Sequence, residues 1–315
     1  MKTGVISLGE ALIDFIPLDE SNSVYRKSPG GAPANVAVGI SRLGVPSTFL
    51  GKVGDDVLGR FLQETLKAYG VNTDYMLLTD EARTGAVFVT LGKNGERSFD
   101  FYINPSADSF LSEKDMKEEL FESHKIFHFG SISLIREPSR GATKRAVQFA
   151  RDNGMLISYD PNLRLGLWDH EEQARETIRS MLPEADILKI SEEELAFITG
   201  EKEIETGVQA LKAYQIPLVL VTLGEQGSVV FTRQGKVQVP ALQVEAVDTT
   251  GAGDAFVSGV LYSLHQYDGA LESITLEEAK QIARFASVSG ALAASTKGAM
   301  TALPTLSEVS GYLEK

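Results

Sequence analysis

The chain contains no cysteine, which excludes disulfides, thiolate nucleophiles and cysteine-ligated zinc or iron–sulfur centres. Histidine is scarce, and His124, His128, His170 and His265 form no HExxH, so the signature of a zinc hydrolase is missing. His124 and His128 are spaced as on a helix, but their surroundings read as a strand, and both are taken as structural or surface residues. No window reaches 18 apolar residues without a charge, so no membrane span is expected. The opening MKTGVISLGEALIDFIP is broken by Gly9, Glu10 and Asp14 and lacks the apolar core of a signal peptide, which makes a cytoplasmic location the expectation. Basic residues are outnumbered, 30 against 43 acidic, for a net charge of -13. Such a field repels nucleic acid and anionic membrane. An anionic ligand would have to be met locally, by backbone N–H groups, a few placed Lys or Arg, or a bound cation. Two familiar phosphate motifs are also missing: neither GxxxxGK[ST] nor a strand-adjacent GxGxxG occurs. Walker-type ATPases and nicotinamide dehydrogenases thereby lose their main support.

What is present is an ordinary globular composition, 43% apolar and 23% charged over 315 residues, enough for one large α/β domain with a small appendage. GVISLG (4–9) and LIDFIPL (12–18) read as two strands in quick succession, and GGAPANVAVGISRLG (30–44) as a glycine-rich turn feeding a helix. STFLGKVG (47–54) is strand-like, and 55–70 is an amphipathic helix closed by Gly70. TGAVFVTLGKNGERSFDFYI (84–103) alternates apolar and polar residues around Asn94-Gly95, the pattern of a hairpin with a type I′ turn. With 12–18 it would form a small sheet apart from the main body, a lid or dimer contact drawn from about 11–30 and 84–104. From residue 108 strand and helix patterns alternate, with strands at 125–131, 155–160, 185–191 and 217–224, as in βα units of a largely parallel sheet. A hairpin-like excursion follows at 227–241, and the last part, from 252, is mostly helical.

Residues 248–261 read DTTGAGDAFVSGVL. The apolar spacing at 256, 257, 260, 261 and 264 is that of a buried helix face, so the glycines lie at a helix N-terminus. N–H groups there lack intrahelical partners, and Gly251, Ala252 and Gly253 would cradle a phosphoryl group. Asp254 would repel a merely bound phosphate, yet it makes sense as a general base for a hydroxyl attacking phosphorus. Taken alone, it equally reads as an acidic first-turn residue compensating the helix dipole.

GGAPANVAVGISRLG (30–44) and DTTGAGDAFVSGVL (248–261) together resemble the two signatures of the PfkB, or ribokinase-like, family of sugar kinases, and the chain is most similar to its fructokinase branch. The resemblance covers essentially the whole chain. It implies one kinase domain over 1–315, a doubly wound, mostly parallel α/β fold, and a small β-sheet lid that often pairs between subunits. It also implies ATP-dependent phosphorylation of D-fructose at the 6-hydroxyl, with Asp254 as base and Gly251 to Gly253 as anion hole. Asp14, Gly30, Gly31 and Asn35 would contact the sugar, with Arg97, Phe99 and Phe101 lining the lid and Arg164 meeting sugar or phosphate. Lys189, Glu194, Thr222, Gly224, Gly227 and Gly298 would serve ATP, with Glu194 acting on Mg²⁺ through water. Asp248 and Thr250 would hold a monovalent cation, K⁺. Where the family carries Asn-x-x-Glu, this chain has Ser191-Glu192-Glu193-Glu194, which also reads as a serine-initiated helix. Phosphorylation of 2-keto-3-deoxygluconate, ribose or a riboside is the alternative, and sugar binding without turnover is a second.

Overall fold

The structure is a computed structural model that describes residues 2–92 and 97–314, and of Arg97 only the backbone. The chain runs β1 (Val5–Leu8), β2 (Leu12–Pro17), β3 (Tyr25–Gly30), α1 (Ala32–Arg42), β4 (Ser47–Gly54), α2 (Val57–Ala68), β5 (Met76–Thr79), β6 (Gly85–Leu91) and β7 (Arg97–Phe101). Then come α3 (Glu119–Ser123), β8 (Ile126–Phe129), α4 (Ser139–Asp152), β9 (Leu156–Tyr159), α5 (Glu171–Met181), β10 (Ile187–Ser191), α6 (Glu192–Thr199), α7 (Ile204–Leu211) and β11 (Leu218–Thr222). β12 (Ser228–Thr232), β13 (Gly235–Val239), α8 (Ala252–Gln266), α9 (Leu276–Ala294) and α10 (Leu306–Leu313) complete it.

Nine strands form one sheet in the order β13-β12-β11-β10-β9-β8-β1-β4-β5, parallel from β11 to β5, with β12 and β13 added antiparallel. Strands β1, β8 and β11 are buried along almost their whole length, and their near-continuous apolar runs match a sheet covered on both faces. One face carries α4 to α7, packing Ala146, Ile178, Leu195 and Leu211 against Phe127, Ile157 and Leu188. On the other, α1, α8 and α9 pack Ile40, Val257, Leu261 and Ala283 against Val5, Ile187 and Leu220. From β1 the chain builds outward through β4 and β5 and then returns to β8 on β1's other side. The strand order therefore switches between β1 and β8, and a ligand crevice is expected at the carboxyl ends there.

A second sheet stands in the order β3-β2-β6-β7. β2 pairs antiparallel with β3 and parallel with β6, and β6 pairs antiparallel with β7. Ile13 and Phe15 on one face of β2 pack with Leu58 and Phe61 of α2, which leaves Asp14 on the opposite face. The β6–β7 pairing matches the hairpin expected from alternation; the Asn94-Gly95 turn lies outside the described residues. β3 and β5 were not evident in the sequence pattern.

Candidate active site

The carboxyl ends of the main sheet and the inner face of the second sheet enclose a cleft of about 1060 Å³. Asp14, Asn35, Phe99, Phe101, Arg164, Lys189 and Asp254 all line it. A cavity of about 340 Å³ lies on the other side of the glycine loop and is lined by Thr222, Gly224, Gly227, Leu242, Phe256 and Ala291. Thr249 and Gly253 border both. Loop 249–253 is thus the wall between a polar cleft and a largely apolar one.

That loop is built by α8. Gly251 is its N-cap at φ +79, a left-handed conformation that glycine adopts without strain. The turn brings Gly251, Gly253 and Asp254 to the cleft. Asp254, buried, accepts a 2.7 Å hydrogen bond at Oδ2 from Asn35 Nδ2, 219 residues away on α1. Asn35, expected at the sugar alone, therefore also touches the base candidate. Burial pushes the Asp254 carboxyl up to about 6, against the Asn35 hydrogen bond, with Asp160 raising it further and Lys189 and Arg164 lowering it.

Asp160, buried just past β9, and Lys189, largely covered on β10, lie 3.1 Å apart. Burial opposes the Lys189 charge, but Asp160, Glu194 and Asp254 outweigh it and hold the ammonium above its usual value. A Cβ on Gly253 would sit 3.7 Å from Lys189 Nζ, so this cation stands beside the N–H groups of the loop. Arg164, exposed on the rim, exerts its charge on both Asp14 and Asp254.

Asp14 is pushed up to about 7 by burial, opposed by Arg164 and reinforced by Asp254. A Cβ on Gly30 would fall 2.2 Å from Asp14 Oδ2; only a glycine leaves that carboxylate its place. Gly31 borders the cleft where β3 hands over to α1. Phe101 lines the cleft from β7, whereas Phe99 is 56% exposed at its edge. The Arg97 side chain lies outside what is described.

Both Glu194 carboxylate oxygens are engaged: Oε1 accepts from Leu163 N at 2.7 Å and Oε2 from Ser191 N at 2.9 Å. Ser191 Oγ accepts in return from Glu194 N, closing a capping box on α6. The Ser-x-x-Glu segment is a helix cap that also ties down the loop after β9. Each oxygen keeps a second lone pair, so an outer contact to a hydrated metal is compatible with this role. Among the described residues, no three His, Asp or Glu side chains converge as a metal cluster. Asp248, buried, accepts from Thr250 N and from Gly298 N, each at 3.1 Å, and so fastens the glycine loop to loop 295–299. The Asp248 carboxylate is a hard oxygen donor at the foot of the glycine loop, the donor type that a hard cation takes.

Two cleft carboxylates, Glu10 and Asp160, and Asp108 in an adjoining side cavity were not singled out in the sequence. Glu10 and Asp160 each stand one or two residues past a parallel strand, which is the available signal. His128 is buried and shares a 3.0 Å hydrogen bond with Ser158, while His124 contacts Leu120 O and Thr48 Oγ1 at 2.8 and 3.0 Å.

A family model described as pfkB family carbohydrate kinase matches residues 2–306. The chain is 48% identical over 310 residues to probable fructokinase-5 of Arabidopsis thaliana, covering 96% of this chain and 94% of that protein. It is 46% identical over 318 residues to fructokinase-2 of Oryza sativa subsp. japonica, with 99% and 94% covered. The fold is similar, at TM-score 0.90 and 41% identity over 99% of this chain and 98% of the other, to a double-mutant fructokinase from Vibrio cholerae O395 bound to fructose, ADP and a potassium ion.

Proposed function

This chain belongs to the pfkB family of carbohydrate kinases, and on that premise we propose that it is a single catalytic domain that transfers the γ-phosphoryl group of ATP to the 6-hydroxyl of D-fructose. The observation that carries the reading is the buried Asp254, held by Asn35 at the N-terminus of α8 on the wall between the two cavities. Asp254 accepts the proton of the sugar hydroxyl as that oxygen bonds to the γ-phosphorus. The bond from phosphorus to the bridging oxygen breaks, and its electron pair leaves with ADP. The N–H groups of Gly251 to Gly253, with Lys189 beside them and Arg164 at the rim, face the charge on the transferred oxygens.

Asp14, Gly30, Gly31 and Asn35 receive the sugar beneath Phe99 and Phe101. The apolar cavity of Thr222, Gly224 and Gly227 takes the nucleotide, with Gly298 alongside. When bound, Mg²⁺ neutralises the phosphates, and Glu194 reaches its hydration shell. Asp248 and Thr250 would hold K⁺, whose charge would bias the glycine loop electrostatically without touching the sugar. The lid's β3 and β7 edges and its exposed Leu18, Val24 and Tyr102 support pairing with a second copy, in the cytoplasm where ATP is supplied. Among the described residues, no helix is long and apolar enough to cross a membrane.

A coupled ADP-release assay with MgATP, run with and without K⁺ across fructose, ribose, 2-keto-3-deoxygluconate, mannose, glucose and adenosine, tests the reading. Fructose is expected to dominate and K⁺ to raise its rate several-fold. A preference for another sugar would overturn the substrate, and inactivity on all of them would favour a protein that binds without turnover. Gly30→Ala is expected to raise the fructose KM at least roughly tenfold with a smaller change in kcat, since it displaces a hydroxyl-binding carboxylate. An unchanged KM would remove Asp14 from the sugar site.

A further inference from the structure

Glu10 follows β1 at the point where the strand order switches, and it borders three adjoining spaces: the main cleft, a side cavity with Asp108 and Arg136, and a small cavity with Asp254, Ser131 and His128. Its side chain is almost wholly buried, and Oε1 accepts a 3.1 Å hydrogen bond from Ala32 N, the first residue of α1. The same helix carries Asn35 to Asp254. The small cavity measures about 10 Å³, close to the minimum that admits one water molecule. Ser131 is fully buried and lines it, yet its Oγ has no hydrogen-bond partner within the protein. A hydroxyl in that position demands a small polar ligand.

We propose that Glu10 and Ser131 hold a single water molecule against Asp254 in this cavity, and that through it Glu10 acts as a positioning residue for the base. The inference rests on the kinase reading above. Three partners, the Ser131 hydroxyl and the carboxyl groups of Glu10 and Asp254, give a water its usual complement of bonds. The groups that act on Glu10 are Asp108, from the segment after β7, Asp254 from α8, and the N-terminus of α1; Asp160 and His128 share the small cavity. Burial is the main cause that pushes Glu10 up to about 8, backbone hydrogen bonds oppose it, and Asp108 and Asp254 add to the rise. At neutral pH it is therefore protonated, with one oxygen on Ala32 N–H and the hydroxyl free to donate to the water. Above about pH 8 the donor is lost and a second negative charge stands beside the base.

The test is the pH dependence of kcat and of the sugar KM in wild type, Glu10→Gln, Glu10→Ala and Ser131→Ala, with thermal unfolding as the check on folding. Glu10→Gln keeps a neutral donor. It is expected to hold kcat within threefold at pH 7 and to lack the fall in kcat expected of the wild type above pH 8. Glu10→Ala and Ser131→Ala are expected to lower kcat about tenfold with the sugar KM within threefold. If Glu10→Ala fails to fold, Ser131→Ala and Glu10→Gln decide the matter. A Ser131→Ala profile that superposes on the wild type overturns the inference, as does a Glu10→Gln variant that raises KM at constant kcat, which would put Glu10 on the sugar itself. Wild-type inactivity on every sugar would instead sink the kinase reading and this inference with it.

Discussion

Asp254→Asn is expected to reduce kcat by roughly 10²–10⁴-fold, the usual contribution of a general base, and at the same time to make the protein more stable at neutral pH. The first effect follows from the missing proton acceptor at the end of α8. The second follows from the direction of the base's pKa. Asp254 moves from the ordinary 3.8 to about 6 on folding, chiefly through burial. A group whose pKa rises on folding contributes stability that is fully present below the unfolded value and is lost as pH climbs through the folded one. Between pH 4 and 6 the wild type therefore gives up stability on the order of 3 kcal/mol, at about 1.4 kcal/mol per unit, which an amide in the same place never loses. Denaturant unfolding at pH 5 and pH 8 checks this: the difference between variant and wild type should be larger at pH 8. In the wild type, kcat/KM should fall below about pH 6 as Asp254 takes up its proton. An Asp254→Asn protein that turns over fructose at more than a tenth of the normal rate would remove Asp254 from the chemistry.

Lys189→Met is expected to be the most damaging single change to stability in the cleft. It strands the Asp160 carboxylate, almost wholly buried and 3.1 Å from Lys189 Nζ, and breaking such a pair on one side costs about 3–5 kcal/mol. Adding Asp160→Asn removes the orphaned charge, so the double variant should regain most of that stability in a denaturant titration. Activity should not return with it. Asp160 raises and Lys189 lowers the Asp254 pKa, so in the double variant these opposed effects leave together and the acid limb of any remaining kcat/KM should stay near about pH 6, while the cation beside the glycine loop is gone. Recovery of both stability and kcat would make the ion pair purely architectural.

How much of this could be read from the chain depended on how local each signal was. Helix α2 announced itself through apolar spacing and Gly70, and the alternation from β8 to β11 through runs of β-branched residues between polar helices. β3 did not, because YRKSPG carries two charges and a proline in six residues and is buried only over its second half. β5 is a four-residue edge strand held by β4 alone. The GAG loop and Asp254 were legible because helix start, small residues and carboxylate are contiguous. Glu10 and Asp160 were not, since a lone acid after a strand acquires meaning only when the strand order brings it to the cleft, Glu10 at the β1/β8 switch and Asp160 past β9 beside Lys189. The Ser191 segment satisfied two descriptions at once, and the capping box shows how: the glutamate that a metal-bound water would meet is the same one that closes the helix end.

The hydrogen bond from Asn35 to Asp254 joins residues 219 positions apart, and the packing of α1 on α8 is what makes it. During synthesis, Asp14, Asn35, Asp160 and Lys189 all leave the ribosome well before the glycine loop. A nascent chain can therefore gather these cleft side chains while it has neither the carboxylate proposed to take the sugar's proton nor the glycine loop. The proposed base and anion hole arrive last of the site, with residues 251–254, and a chain that stops short of them lacks both.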